Sequence, residues 1–296
     1  MSAPITVSSL FVYPVKAFRG IARESVTVGR FGFVDDREYQ VVAVDRTLLT
    51  QRKLPRMALV QAVPIEGGLR LTAGSDDCIE VSRPAASDVE FTRSRGTGRA
   101  GDCGDAVAAW LERVLGQPCR LVAIAEGYTR PLLLDVGLPD VEVSFADAAP
   151  VLLANTASLD DLVARATEPF PMERFRPNLV VTAPEPWIED RWRRARVGDA
   201  SLHAMVPWPR CAVPQIDQQT AEHHKEPAKV LRKHRWCTDG SALGPLAPFV
   251  ENEPLFGMGI VAEPVGATIS VGDLVEVLED AEPVLPPPTP RFRRPG

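Results

Sequence analysis

Long apolar runs are missing from this 296-residue chain, and no stretch approaches the 18 or more apolar residues that a membrane span requires. Nor does the start carry a basic patch followed by an apolar signal region; "MSAPITVSSLFVYP" moves straight into a strand-like pattern. Cysteine is scarce as well. The five cysteines (78, 103, 119, 211 and 237) are odd in number and lack framework spacing, so reduced thiols in a cytoplasmic protein are expected rather than a disulfide scaffold. Positive charge is not in excess: 33 Lys and Arg against 39 Asp and Glu leave a net −6, which excludes a general nucleic-acid role because phosphate binding needs a basic field. Only five of the basic residues are lysines, at 16, 53, 225, 229 and 233; with abundant Ala and Pro, this bias is what a GC-rich genome produces.

What is present is a globular composition, 45% hydrophobic and 24% charged, arranged in short strand-like runs. Ile5–Tyr13, Tyr39–Val44, Met57–Val63, Leu69–Thr72, Arg120–Ile124, Asn178–Thr182 and Ser201–Val206 are rich in Val, Leu and Ile and are separated by Gly, Pro and Asp. "ARVGDASLHAM" (195–205) and "ISVGDLVEVL" (269–278) each place a Gly-Asp turn between apolar runs, as a hairpin or bent barrel strand requires. Helical periodicity is clear over 103–115, with Asp102 as the expected cap and Gly116 as the stop, and again after Ser158, the expected cap of a second helix with Asp161 three residues on, with Leu159, Leu162, Val163 and Ala166 as its apolar stripe. Strands and helices do not alternate, so the expected class is β-dominated α+β. Segment 126–146 reads as an irregular connection, and the Pro- and Arg-rich end (282–296) as a disordered or polyproline tail.

The informative segment is "MVPWPRCAVPQID" (205–217). Prolines on both sides of Cys211 exclude a regular helix and disfavour a central strand, so the thiol is expected on a stiff loop after a strand, beside the charge of Arg210. Alone, the segment is also compatible with a buried structural cysteine. "RFRPNLVV" (174–181) sets two arginines and Asn178 before an apolar strand, where a guanidinium can grip phosphate or carboxylate. "YPVKAFRG" (13–20) places Lys16 just past a strand, and "DDREYQVV" (35–42) places Arg37 just before one. Three strand-edge cations and a thiol together suggest an anionic ligand plus a soft metal.

These segments, in order from about residue 5 to 278, resemble the MOSC superfamily, in particular its amidoxime-reducing and YcbX-like branch. "LFVYPVKAFRG", "GFVDDREYQVV", "LLTQRKLPRMALV" and "DCGDAVAAWLERVLGQPCRLV" are similar to its N-terminal region. "PVLLANTASLDDL", "RFRPNLVV", "PWPRC", "QIDQQT" and "KEPAKVLRKHRW" are similar to its catalytic portion. The resemblance implies an N-terminal β-barrel-type domain (1–125), a MOSC β-barrel domain with a few helices (126–280) and the tail (281–296). It also implies a molybdenum cofactor (Mo-molybdopterin) whose metal takes its thiolate from Cys211. Lys16, Arg37 and Arg176 then match cofactor-anchoring positions, and Ala17, Ala148, Ala149, Asn178, Trp208 and Pro209 fall in the cofactor-contacting stretches. Several of these depart from the pattern: Ala17 stands where a serine is usual, Ala148 and Ala149 where hydroxyls are usual, and Trp208 and Pro209 where small polar residues are usual. Pro209 also removes an N–H donor.

The implied activity is two-electron reduction of small N-hydroxy or related substrates, with electrons from a separate ferredoxin, flavin reductase or cytochrome-type protein and with no nucleic-acid or membrane partner. Two other readings stand beside it. Cys211 could carry a persulfide in sulfur transfer without a metal, or the chain could be a non-catalytic cofactor carrier.

Overall fold

The computed structural model describes residues 3–92, 96–134 and 136–288. Its largest sheet has nine strands. The path runs Val275–Asp280, Trp192–Val197, Ala200–Pro209, Glu253–Glu263, Val151–Asn155, Leu179–Thr182, Thr6–Val12 and Ile21–Arg23, with Trp236–Cys237 paired off the path to Glu253–Glu263. All of these pairings are antiparallel except Val151–Asn155 with Leu179–Thr182. Thr6–Val12, one strand in from the end, also touches the segment that enters Val275–Asp280: the Val7 amide donates to Asp273 O at 2.9 Å and the Val275 amide to Ile5 O at 2.9 Å. The end strand Ile21–Arg23 does not join Val275–Asp280, so the sheet is not the closed barrel that the resemblance implies. Alternation along these strands turns Val7, Leu10, Leu153, Val181, Met258 and Ile260 inward, where they form one core. The chain's first strand therefore belongs to the same sheet as residues 151–280.

A second core lies in the N-terminal half, around Phe18, Tyr39, Met57, Leu71, Leu111 and Leu121. It is covered by a four-stranded sheet (Tyr39–Ala43, Cys119–Ala123, Thr97–Asp102, Val89–Thr92) and a three-stranded meander over residues 61–82. The β-dominated α+β class expected from the pattern is the class observed, with the long helices among the described residues confined to Asp105–Leu115, Thr156–Val163 and Glu226–His234.

Several local expectations are corrected. Met57–Val63 is not one strand: Pro55 starts a 3-10 turn through Leu59, and the strand begins at Gln61. The helix expected from 103 starts at Asp105 with Gly104 as its cap residue, because the Asp102 carboxylate is spent on the Gly104 amide (2.7 Å) and on Arg120. Gly116 ends it in the left-handed conformation, as expected. The second helix is capped by Asn155, which accepts from the Ala157 amide; Ser158 is buried inside the helix and accepts from the Trp187 amide at 2.7 Å. The 195–205 motif is a hairpin, whereas 269–278 bends between two strands that pair elsewhere. Residues 124–150 form no regular element among those described, and of the expected tail residues 289–296 lie outside them. No helix among the described residues is long and apolar enough to cross a membrane.

Candidate functional site

Strand ends and connections from both halves converge on a cavity of about 560 Å³. Three backbone hydrogen bonds hold them together. The Arg37 amide donates to Tyr13 O (2.8 Å), the Lys16 amide to Tyr39 O (2.7 Å), and the Phe145 amide to Arg37 O (2.9 Å). All ten residues singled out from the sequence line this cavity: Lys16, Ala17, Arg37, Ala148, Ala149, Arg176, Asn178, Trp208, Pro209 and Cys211.

Cationic side chains form part of its wall. Lys16 Nζ donates to Phe145 O (2.8 Å) and pairs with Asp147 at 2.7 Å. Burial lowers the ammonium's pKa against the opposing pull of Asp147, and Lys16 in turn holds the Asp147 carboxyl well below the usual range. Arg37 is bound by the buried Asp36 carboxylate and donates to Asn178 Oδ1 (2.9 Å) and Arg176 O (3.2 Å). Asp36 also accepts from the Tyr13 amide (2.8 Å) and Asn178 Nδ2 (2.9 Å). Burial raises the Asp36 pKa while Arg37 opposes the shift. Both guanidiniums stack on the Tyr13 ring, Arg176 at 4.2 Å and Arg37 at 4.6 Å from its centroid. Burial, with Arg37 alongside, draws the pKa of Arg176 down to about 10, which leaves it charged at neutral pH.

Ala17, Arg37 and Arg176 each adopt a positive φ, of 70°, 53° and 55°. Non-glycine residues in that region cost on the order of 1–3 kcal/mol apiece and persist where their surroundings over-determine them. Here the surroundings are visible. Ala17 O accepts from Gln51 Nε2 at 2.8 Å, Gln51 and Gln218 exchange amide hydrogen bonds at 2.9 and 3.0 Å, and Gln218 Oε1 accepts from Arg176 at 3.0 Å. Arg176 nevertheless keeps Nη2 buried without an acceptor among the described residues, and so does Nε of Arg210. Buried unpaired donors at a cavity wall are costly unless something else supplies the acceptor.

Cys211 lies on the same cavity wall, next to Arg210. The strand Ala200–Pro209 carries Pro207 and Pro209 at register shifts against Glu253–Glu263, where no ladder N–H is needed. Pro209 ends the strand, the Arg210 amide donates to Pro254 O (2.8 Å), and Cys211 follows, exposed. This is the stiff post-strand loop expected from the prolines. Arg210 reaches back to Phe175 O at 2.6 Å. Of the other cysteines, Cys78 is exposed but does not line the cavity, Cys119 and Cys237 are buried, and burial pushes the Cys103 thiol up to about 12 despite its place before a helix.

Sequence reasoning did not single out Tyr13, Asp36, Gln51, Arg130, Asp147, Gln218 or Phe249. Tyr13, Asp36, Gln51 and Gln218 lie inside the quoted motifs, Tyr13 and Asp36 within three residues of an assigned position. Arg130 lies in the irregular connection and shapes the wall by donating to Ser144 O and Ala146 O, each at 2.6 Å. Phe249, on the turn Ala247–Val250, had no local signal.

Comparison with known proteins agrees with this architecture. Residues 4–118 match the MOSC N-terminal beta barrel domain and residues 140–276 the MOSC domain. The chain is 33% identical to rat mitochondrial amidoxime reducing component 2, covering 93% of this chain and 84% of that protein. It is 32% identical to human mitochondrial amidoxime-reducing component 1, covering 92% and 83%. A zebrafish molybdenum cofactor sulfurase is 30% identical over 78% of this chain and 30% of its own length. The chain belongs to the MOSC superfamily, alongside the amidoxime-reducing components.

Proposed function

We propose that the cavity binds a molybdopterin-type molybdenum cofactor and that the protein is an oxidoreductase for small N-hydroxy or related substrates. The observation that carries the proposal is the exposed Cys211 thiol facing the same cavity as Lys16, Arg37 and the buried, unpaired Nη2 of Arg176. The donor set fits the group: a soft thiolate for the metal, and forked and point cations for a phosphate and a polar pterin. When bound, the cofactor supplies two-electron redox chemistry at a thiolate-held metal.

The chain's own residues grip, orient and shape. Arg37 and Arg176 are fixed by Tyr13, Asp36, Asn178 and Gln218, so they offer hydrogen bonds with little reorganisation. Lys16 contributes a point charge. Overall, two electrons and two protons convert a substrate N–OH to N–H and water, with the electrons supplied by a separate protein of the ferredoxin, flavin-reductase or cytochrome type. Protein made in a host that synthesises the cofactor is expected to carry molybdenum at about one per chain and to reduce amidoximes with a chemical reductant. Active, metal-free protein bearing a persulfide on Cys211 would establish sulfur transfer instead, and metal-loaded protein without turnover would establish a carrier.

A further inference from the structure

Away from the cavity, the described residues hold a buried charge cluster that the proposed chemistry does not use. Glu189 and Asp190 sit side by side on the 3-10 turn Ile188–Arg191, and Arg235 follows the helix Glu226–His234; each is at most 1% exposed. Arg235 Nη2 donates to Asp190 Oδ2, and its guanidinium lies 4.1 Å from the centroid of the Trp187 ring. Asn155 Nδ2 donates to Glu189 Oε2 at 3.0 Å. Four polar atoms remain buried without a partner among the described residues: Glu189 Oε1, Asp190 Oδ1, and Nε and Nη1 of Arg235. Two ionised carboxylates against one guanidinium leave an uncompensated negative charge, which is costly in a low-dielectric interior. A proton on Glu189 removes that charge and turns an orphaned acceptor into a donor. Burial, with Asp190 beside it, pushes the Glu189 carboxyl up to about 7, against the pull of Ser158 and Asn155.

A stack of rings joins this cluster to the cavity. Trp187 meets Phe256 edge-on, with centroids 6.0 Å apart and planes at 87°, and Phe256 stacks on Phe175 at 4.0 Å. Phe175 lines the cavity beside Arg176; its carbonyl accepts from Arg210 at 2.6 Å, and the Arg210 guanidinium lies 5.6 Å from its ring. Arg235 O accepts from the amide of Leu255, the residue before Phe256, at 2.9 Å. Trp187 has a φ of 66°, a strained conformation that persists only while its neighbours hold it. From these contacts we infer that Glu189, Asp190 and Arg235 form a proton-operated latch behind the cavity wall. With one proton on the carboxylate pair the latch is closed; loss of that proton releases Trp187 and loosens the ring stack that backs Arg176 and Arg210.

The groups around Glu189 come from several elements. Asp190 is on its own turn, and Arg235 pairs with Asp190 from the end of the helix Glu226–His234. Asn155 and Ser158 belong to the start of the helix Thr156–Val163, whose Asp161 binds Trp187 Nε1 at 2.9 Å and pairs with Arg165. Arg193, on the following strand, donates to Asp190 O at 3.3 Å, and the strand Glu253–Glu263 presents Phe256. Because the folded-state carboxyl titrates above its unfolded value, its contribution to stability is complete below that unfolded value and is lost as pH rises through about 7.

The test compares the full chain with Glu189→Gln, which keeps an acceptor for Asn155 and supplies the donor that the proton provides. Between about pH 5 and about pH 8, the urea unfolding constant of the wild type should rise at least about tenfold more than that of the variant. Histidine is the other side chain that changes charge in this range, and His234 is next to Arg235. His234→Gln is expected to leave the difference intact, and a difference that vanishes with it would overturn the assignment to Glu189. Infrared difference spectra at about pH 6 should contain a protonated-carboxyl C=O band that Glu189→Gln lacks. Hydrogen exchange, corrected for the intrinsic pH dependence of amides, should quicken with rising pH at 172–176 and 253–257 as well as at 187–191, in the wild type alone. Equal pH dependence of unfolding in the two proteins, or absence of the band, would overturn the latch. Opening confined to 187–191 would overturn its reach to the cavity. The latch does not depend on what the cavity binds, so it stands or falls apart from the metal reading.

Discussion

Two groups of residues that line the cavity are built on opposite principles. In the cationic group, Arg37, Arg176 and Ala17 sit in a strained backbone region and are locked by a buried network of Tyr13, Asp36, Asn178, Gln51 and Gln218. In the group around Trp208, the indole packs over Gly259 and meets Phe249, so shape rather than hydrogen bonding defines that part of the wall. A polar network in a low-dielectric interior has essentially one satisfied arrangement, so the grip for an anion is fixed before the ligand arrives. An apolar wall tolerates repacking at constant volume and can change with the substrate. The departures at Ala149 and Trp208 from the amidoxime-reducer pattern fall on the second kind of wall.

That contrast can be broken most severely at Asp36. Asp36→Ala leaves the Arg37 guanidinium and the Asn178 amide without their buried acceptor, and an uncompensated buried charge costs about 3–5 kcal/mol. Urea unfolding should show that loss, and a destabilisation below about 1 kcal/mol would mean the network is not what locks this group. A smaller cost is expected at Gly259. Gly259→Ala drives a methyl into the Trp208 ring and should destabilise by about 1–3 kcal/mol. The same substitution made in a Trp208→Leu background should cost clearly less, so a double-mutant cycle that proves additive would refute the contact between positions 259 and 208. Smallest is Arg176→Lys, which keeps the charge and discards the fork and the stack on Tyr13. Molybdenum retained after dialysis should fall as if affinity had dropped about tenfold, or about 1.4 kcal/mol. Unchanged retention would detach Arg176 from cofactor binding.

Much of this was legible in the sequence because it rests on local rules. Prolines 207 and 209 place Cys211 after a strand, and "YPVK", "DDRE" and "RFRPN" place cations at strand ends; Ala17, Ala148, Ala149, Trp208 and Pro209 were named by the family resemblance, and all ten residues share one cavity. What local rules could not reach was pairing across the chain. Asp36 and Asn178 meet across 142 positions, Gln51 and Gln218 across 167, and Trp208 finds Phe249 only through the packing of strand on turn. The caps failed for a related reason: Asp102 and Ser158 are good cap residues, but Arg120 and the Trp187 amide compete for them, and Asn155 was closer to the helix start. In the same way, the strand Thr6–Val12 reads correctly as a strand while nothing in its own residues names its partner, Leu179–Thr182.

The central claim is that the Cys211 sulfur is the protein's ligand to molybdenum. X-ray absorption at the molybdenum edge on wild type and Cys211→Ser, with metal content measured on the same samples, addresses it directly. The account predicts one more Mo–S contact in the wild type than the cofactor alone provides. In the serine variant that contact should be absent, with amidoxime reduction lower by more than about 100-fold, beyond what loss of a supporting outer-shell group costs. A Cys211→Ser protein with an unchanged sulfur shell and full activity would contradict it.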